Sequence, residues 1–308
     1  MRAELGLVIA MHLLVPAIFI CWLGWACSSS QLDFGLRLLV VALYAAHLFM
    51  AGHWDWFSYY LRFVMVLLLL AAAVAGWRHA RRERFWPASR LTRWWAPAAN
   101  ALLAALFAFV VAAYAFQGYG FEGEAVALSF PLRSGAYYVG QGGNHVVLNH
   151  HHSHPAQRYA LEVVKLNSAG LRADGSDPAA LSRYLIFGEP LVAPCSGSVS
   201  AAKNSWPDQV PSARDQNQPA GNHVVINCNG AAVLLAHLQR GSVQVKAGDN
   251  VRTGQPIARV GNSGNTSEPH LHIHAIKAGS AASLLAGEGL PMLFDGRFLV
   301  RTQVVRAD

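Results

Sequence analysis

"SGNTSEPHLHIHA", Ser263 to Ala275, carries histidines at 270, 272 and 274. Alternate residues of a β-strand share one face of a sheet, so an extended run here aims three imidazoles the same way. The run follows a turn-forming cluster of Gly, Asn and Ser, which is how a strand begins. Reading outward from it settles what surrounds those histidines.

From Phe130 onward, short apolar or alternating runs are punctuated by Gly, Asn, Asp and Pro: "HVVLN", "RYALEVVKLN", "GSVSAAK", "NHVVINC", "AAVLLAHL", "SVQV", "PIARVG" and "RFLVRTQVV". Their lengths and β-branched content predict a mostly antiparallel β domain. "DPAALSRYL" (Asp177–Leu185) reads as a short helix, and the polar, Pro-bearing stretch Asn204–Asn222 as a loop.

Ten of the fourteen histidines lie between His145 and His274. "NHVVLNHHHSHPAQRYALEVV" holds His145, His150, His151, His152 and His154, followed by Glu162; His237 stands alone in "LLAHL". An H-x-H on one strand also fits a half-exposed polar face, and a histidine run also fits a solvated loop. On three separate segments of one domain they point instead to a metal site. Neutral imidazole is a good zinc ligand, and a catalytic zinc takes three protein ligands and leaves one position open. Further histidines beside such a site handle protons near neutral pH. His150, His151 and His152 are alternatives for the first ligand.

The N-terminal part is different in kind. Apolar stretches at 5–27, 36–52, 57–77 and 95–116 approach or exceed the roughly 20 residues a bilayer crossing requires. They predict an α-helical membrane domain over 1–116, an entry segment over 117–139 and a soluble domain over 140–308. His12, His47 and Arg62 fall in or near the spans and read as structural, by hydrogen bonding or snorkelling. Cys21 and Cys27 read as small buried thiols of the first span.

The formal charge of +7 is uneven: residues 1–116 carry nine Arg against four acids, and most of the excess lies in one segment. Arg78–Arg93 holds six Arg and one Glu, which places it in the cytoplasm and the C-terminal domain outside it. The expected location is thus a membrane, with the soluble domain extracytoplasmic. The soluble part has almost balanced charge, which excludes a nucleic-acid partner of the electrostatic kind. Outside the cytoplasm a disulfide persists, and Cys195 and Cys228, each beside a turn, are candidates for one.

The blocks "IFGEPLVAPCSGSV", "GNHVVI", "LLAHL", "GSVQVKAGDNVRTGQPIARVGNSG" and "PHLHIHA", in that order, resemble the lysostaphin/LytM-type zinc endopeptidases, which cut peptide bonds in bacterial cell walls. The resemblance implies one zinc ion, peptidoglycan peptides as substrate, His272 as a ligand, and His237 and His270 as catalytic histidines. It implies nothing for His274, which reads as structural or solvent-facing. The first half of the site departs from the family, where an aspartate follows the first histidine by four residues. Here the register of a variant group supplies His151 and, from "QRYALEVV", Glu162. That departure leaves two functions in view. One is a membrane-anchored zinc endopeptidase. The other is a degenerate domain that binds wall peptides or regulates another hydrolase; a membrane sensor is a third, lesser reading. Asn144, Asn222, Asn262 and Ser263 border the motifs as candidate substrate contacts. The partners expected are the lipid bilayer, the wall peptides and, unidentified, a regulatory protein.

Overall fold

The computed structural model describes residues 2–88, 94–278 and 286–308. Positions 89–93, which include Arg90 and Arg93 of the basic segment, lie outside the described residues. The chain forms two compact units, Met1–Trp54 with Ser58–Ala115, and Asp55–Phe57 with Phe116–Asp308.

In the first unit, α1 (Arg2–Ile9) continues through a π turn at Ala10–Leu14 into α2 (Val15–Trp25), followed by α3 (Gln31–Ala51), α4 (Leu61–Ala80) and α5 (Trp95–Gly118). Leu5–Trp25, Gln31–Ala51, Leu61–Ala80 and Trp95–Gly118 are each long and apolar enough to cross a membrane. α3 starts at Gln31 rather than Leu36 because its charges are internally paired. Ser30 Oγ caps the helix by accepting from Asp33 N–H at 3.1 Å. The Asp33 carboxylate then accepts from Arg37 Nη2 at 2.8 Å and from Asn100 Nδ2 at 3.1 Å.

The lone polar groups of the helices are occupied structurally. His12 accepts the His53 N–H at Nε2, 3.0 Å away, and its Nδ1 donates to the Val8 carbonyl at 2.9 Å. His47 Nδ1 meets the Tyr114 hydroxyl at 3.2 Å. Arg62 stacks its guanidinium 3.8 Å above the Phe49 ring, a buried cation–π contact in place of snorkelling. Cys21 and Cys27 are exposed on the bundle, contrary to the buried reading, and Cys27 lies past the end of α2.

The second unit is built from β1 (Val126–Leu128), β2 (Gly135–Gln141), β3 (Leu161–Leu166), β4 (Pro190–Val192), β5 (Gly197–Lys203), β6 (Asn222–Cys228), β7 (Ala231–Leu238), β8 (Asn250–Val251), β9 (Pro256–Arg259), β10 (Leu271–Lys277), β11 (Gly289–Leu290), β12 (Met292–Phe294), β13 (Arg297–Phe298) and β14 (Val304–Ala307). The main sheet runs β14-β2-β3-β10-β7-β6-β5-β8, with β11 also on β10, and every neighbouring pair is antiparallel. A small side sheet contains the parallel pair β1–β12. The core beneath the main sheet includes Leu161, Val163, Ile226, Val233, Leu235, Leu271 and Ile273, all buried. Burying each such side chain contributes about 1.5–3 kcal/mol, so the centre of the sheet, where β10 lies, is its most firmly held part. Cys195 and Cys228 are joined by a disulfide with Cα atoms 6.0 Å apart.

Four local expectations differ from the structure. The entry segment 117–139 carries β1 and most of β2, with Tyr137, Tyr138 and Val139 fully buried. "HVVLN" folds as a turn, with the N–H groups of Leu148 and Asn149 both bonded to the His145 carbonyl. "SVQV" forms no strand, and "DPAALSRYL" shortens to a single 3-10 turn at Leu181–Arg183.

Candidate metal centre

β10 lies between β3 and β7, and at one position the register sets three residues in a row: Glu162, His272 and Ala236. Residues directly opposite one another in an antiparallel pair project to the same face. A glutamate one strand away from a histidine is therefore within reach of it across the sheet. Glu162 Oε1 lies 3.9 Å from His272 Nδ1.

His151 arrives from outside the sheet, on the 3-10 turn His150–Ser153. The turn is fixed by Asn149, which is wholly buried. Its Nδ2 donates toward the carbonyls of Gly143, Arg158 and Ala160, and its Oδ1 accepts from His151 N–H. The His151 Nε2 thereby comes 2.8 Å from Glu162 Oε1. Its ring lies 4.8 Å, edge-on, from that of His272.

His237 reaches the cluster by an irregularity. The pairing of β6 with β7 slips between Asn222 and Val224, and His237 adopts a left-handed backbone with φ of +59°. Such a bulge re-aims a side chain, and a non-glycine residue held there carries strain of about 1–3 kcal/mol. The His237 ring lies 4.9 Å from that of His270 and 5.7 Å from that of His272. Its Nδ1–H donates to the Ser263 carbonyl at 2.9 Å, which leaves the Nε2 lone pair as its acceptor. Opposite this region Gly221 (φ +55°) and Gly264 (φ +90°) press together, and a Cβ on Gly221 would meet the Ser263 carbonyl, so the loop before β6 closes only with glycine there.

His270 stands just before β10. Its Nδ1–H donates to the Glu268 carbonyl at 2.8 Å, with the Thr266 hydroxyl 3.3 Å away, and its Nε2 lies 3.5 Å from Glu162 Oε1. The Glu268 side chain is itself held: Arg172 donates to it through Nε at 2.8 Å and Nη2 at 2.7 Å. Arg172 also faces Asp55 at 3.6 Å and lies 4.2 Å over the Trp56 ring.

The electrostatics divide the histidines. Burial, and then the neighbouring His270, push His237 down to about 3, so it is neutral. Burial also pulls at His270, but the Glu162 carboxylate and the Glu268 carbonyl outweigh it and raise the imidazole above its ordinary value. Burial disfavours the Glu162 carboxylate, yet the histidines around it overcome this and hold it well below the usual carboxylate range. His272 is held well below its ordinary value, mainly by burial.

These donors suit a divalent cation. His272 Nδ1 and His270 Nε2 are buried with no hydrogen-bond partner, and both face the ionised Glu162. Orphaned buried nitrogens cost about 1–3 kcal/mol each unless something occupies the space between them. Two sets of donor atoms lie mutually within 4.8 Å: His237, His270, His272 and His150, His151, Glu162. His151, Glu162 and His272 bridge the two sets. Imidazole nitrogens with a carboxylate oxygen are the donors zinc takes at catalytic sites.

The structure thus brings together His151, Glu162, His272, His237 and His270. His150 stacks beside His151, with ring centroids 3.9 Å apart, and is exposed. His152 turns away; it lies against His145 and lines a separate cleft of about 650 Å³ with Glu122, Arg158 and Glu288. Asn222, Asn262 and Ser263, expected at the substrate, are fully buried scaffold. Asn222 ties Trp206 and Leu238 together, and Asn262 bonds to the Gln209 carbonyl. Asn144 is turned to Arg158, whose Nε donates to it at 3.2 Å. His274 is buried and bonded to His272, neither solvent-facing nor idle. The Arg172–Glu268 support was missed, because nothing in the sequence pairs residues so far apart.

Residues 185–283 match the model of Peptidase family M23. The matched stretch contains His237, His270 and His272 and leaves out His151 and Glu162. The peptidoglycan DD-endopeptidase ShyA of Vibrio cholerae is 36% identical over 78 residues, which are 25% of this chain and 18% of that protein. Among solved structures, a zinc-containing peptidase from Vibrio cholerae matches at TM-score 0.31 and 20% identity, covering 54% of this chain and 41% of that one. Lysostaphin from Staphylococcus simulans matches at TM-score 0.29 and 20% identity, covering 49% and 47%.

Proposed function

We propose, for a chain whose residues 185–283 carry a Peptidase family M23 domain, that it is a zinc-dependent endopeptidase acting on peptide crosslinks of peptidoglycan. The observation that carries this reading is the approach of His151 Nε2, His272 Nδ1 and His270 Nε2 to one oxygen, Glu162 Oε1, at 2.8, 3.9 and 3.5 Å.

His151 Nε2, Glu162 and His272 Nδ1 would hold a single zinc ion. Zinc in such a site supplies Lewis-acid polarisation of a carbonyl and activates water. The chain's own part is the division between its two other histidines. His237 is held neutral and presents the Nε2 lone pair, so it accepts the proton of the attacking water. His270, whose Nδ1–H is held by the Glu268 carbonyl, would carry a proton at Nε2 to the leaving nitrogen and stabilise negative charge on the carbonyl oxygen.

Substrate and location extend the same reading. The ShyA relative is described as a peptidoglycan DD-endopeptidase, so wall peptides are the substrate class. The apolar helices anchor the chain over residues 1–116 in the inner membrane, and the arginines after α4 keep that end cytoplasmic, with residues 140–308 periplasmic. An anchored hydrolase works only on strands near the membrane surface.

A second reading is favoured by Glu162 itself. Its extra methylene, relative to the family's aspartate, shifts the carboxylate by about 1.5 Å, and a wall-peptide binder or regulator tolerates that better than a catalyst.

The test is made on the full chain in detergent, assayed for bound zinc and for cleavage of purified wall peptides. The endopeptidase reading expects cleavage by the parent protein, none by His270→Ala with zinc retained, and loss of both in His272→Ala. Zinc binding without cleavage in the parent points to the binder, and no zinc binding removes both readings of the centre.

A further inference from the structure

We infer that His274, third histidine of the β10 run, is the positioning residue that presents His272 Nδ1 to the ion; this rests on the zinc-site reading above.

The two imidazoles meet edge to face, ring centroids 5.2 Å apart at 82°, with His272 Nε2 and His274 Nδ1 separated by 2.9 Å. Both are buried, at 4% and 1% exposure, so water does not substitute for either partner. A neutral imidazole has one N–H and one lone pair. The 2.9 Å hydrogen bond places one proton between the facing nitrogens, and its owner decides what the other edge of His272 offers. If His272 Nε2 holds it, Nδ1 turns a lone pair toward Glu162. If His274 Nδ1 holds it, His272 must carry its proton on Nδ1, which blocks metal binding.

His274 makes the productive state available because its Nδ1 can accept. In that state His272 donates Nε2–H to His274, and His274 carries its own proton on Nε2. The same contact fixes the ring plane of His272. Strand geometry supplies the contact directly, since residues 272 and 274 share a face of β10. Outer partners of this kind set the tautomer and orientation of a ligating histidine, and losing one typically costs about 10- to 100-fold in metal affinity.

The prediction separates acceptor from mere filler. His274→Phe keeps a buried ring and removes the acceptor. His274→Asn places an amide oxygen close to where imidazole has Nδ1. Zinc affinity of the full chain in detergent is measured by competition with a chromophoric chelator, with thermal unfolding in EDTA as the control for folding. The expected result is a loss of about 10- to 100-fold for His274→Phe and an affinity near that of the parent for His274→Asn. Equal affinity in the parent and His274→Phe overturns the inference, as does an equal loss in both variants, which would mark a packing role only. Should His274→Phe not fold, His274→Asn decides alone: retained affinity supports the acceptor role and a tenfold loss ends it. A parent protein that binds no zinc defeats the underlying site reading instead, a result distinct from all of these.

Discussion

Glu162 and His272 are direct register partners on adjacent antiparallel strands, and the same glutamate oxygen lies 2.8 Å from His151 Nε2 and 3.5 Å from His270 Nε2. One side chain thus gathers groups from three segments, which makes its length and charge separately testable. Glu162→Gln keeps the length and removes the charge. Zinc affinity should drop by more than the about 10- to 100-fold typical of losing an outer partner, and His270 in the metal-free protein should titrate lower than in the parent, because Glu162 is the largest of the groups that raise it against burial. Chelator competition and histidine NMR read the two effects. Glu162→Asp, pulled back by about 1.5 Å, should weaken zinc binding if the strands do not shift; unchanged affinity would show that the backbone adapts.

His237 occupies a left-handed backbone position that favours glycine. Alanine and glycine at this site both delete the imidazole, so both should abolish cleavage. They should differ in stability, with His237→Gly the more stable by about 1 kcal/mol. Thermal unfolding compares them, and an alanine variant at least as stable as the glycine one would mean the bulge relaxes.

Asp55 gives a pH dependence with a definite sign. Its carboxyl is pushed from 3.8 to about 6, burial outweighing the pull of Arg172. The folded protein keeps a proton there that the unfolded chain gives up, so stability falls as pH rises from about 4 to 6 and the whole penalty applies above that. The shift is worth about 3 kcal/mol. Asp55→Asn should remove this slope, so the variant gains on the parent as pH climbs through the window. Unfolding temperatures at pH 4, 5, 6 and 7 in detergent decide it; parallel curves would dismiss the effect.

The Cys195–Cys228 disulfide closes a loop with a sequence separation of 33. Loop-closure entropy for that length is worth about 4 kcal/mol. Replacing both cysteines by alanine should lower the unfolding temperature by a corresponding amount while leaving zinc affinity intact, since neither sulfur is at the centre.

Periodicity made the architecture legible before any coordinates: the apolar runs became the helices of the first unit, and β10 became the central strand. The placement of His272 on β10, and of His270 just before it, was readable from the alternation. Where a side chain overrides local pattern, reading failed. "HVVLN" is a short apolar run like a buried strand, but the Asn149 side chain bonds the carbonyls of Gly143, Arg158 and Ala160 and so holds the segment as a turn. Ser263 and Asn222 are polar residues beside a motif, and only burial shows that they hold loops together. His274 lacked a counterpart to borrow a role from, and its value depends on a contact inside the sheet.

The second unit is not one continuous stretch of chain, since Asp55–Phe57 is counted with it. Trimming the protein at Phe116 would therefore strip Trp56 from beneath Arg172 and Asp55 from beside it. The guanidinium that holds Glu268, two residues before His270, would then be uncovered. Whoever prepares the second unit by excision should graft that tripeptide back or keep the helices on.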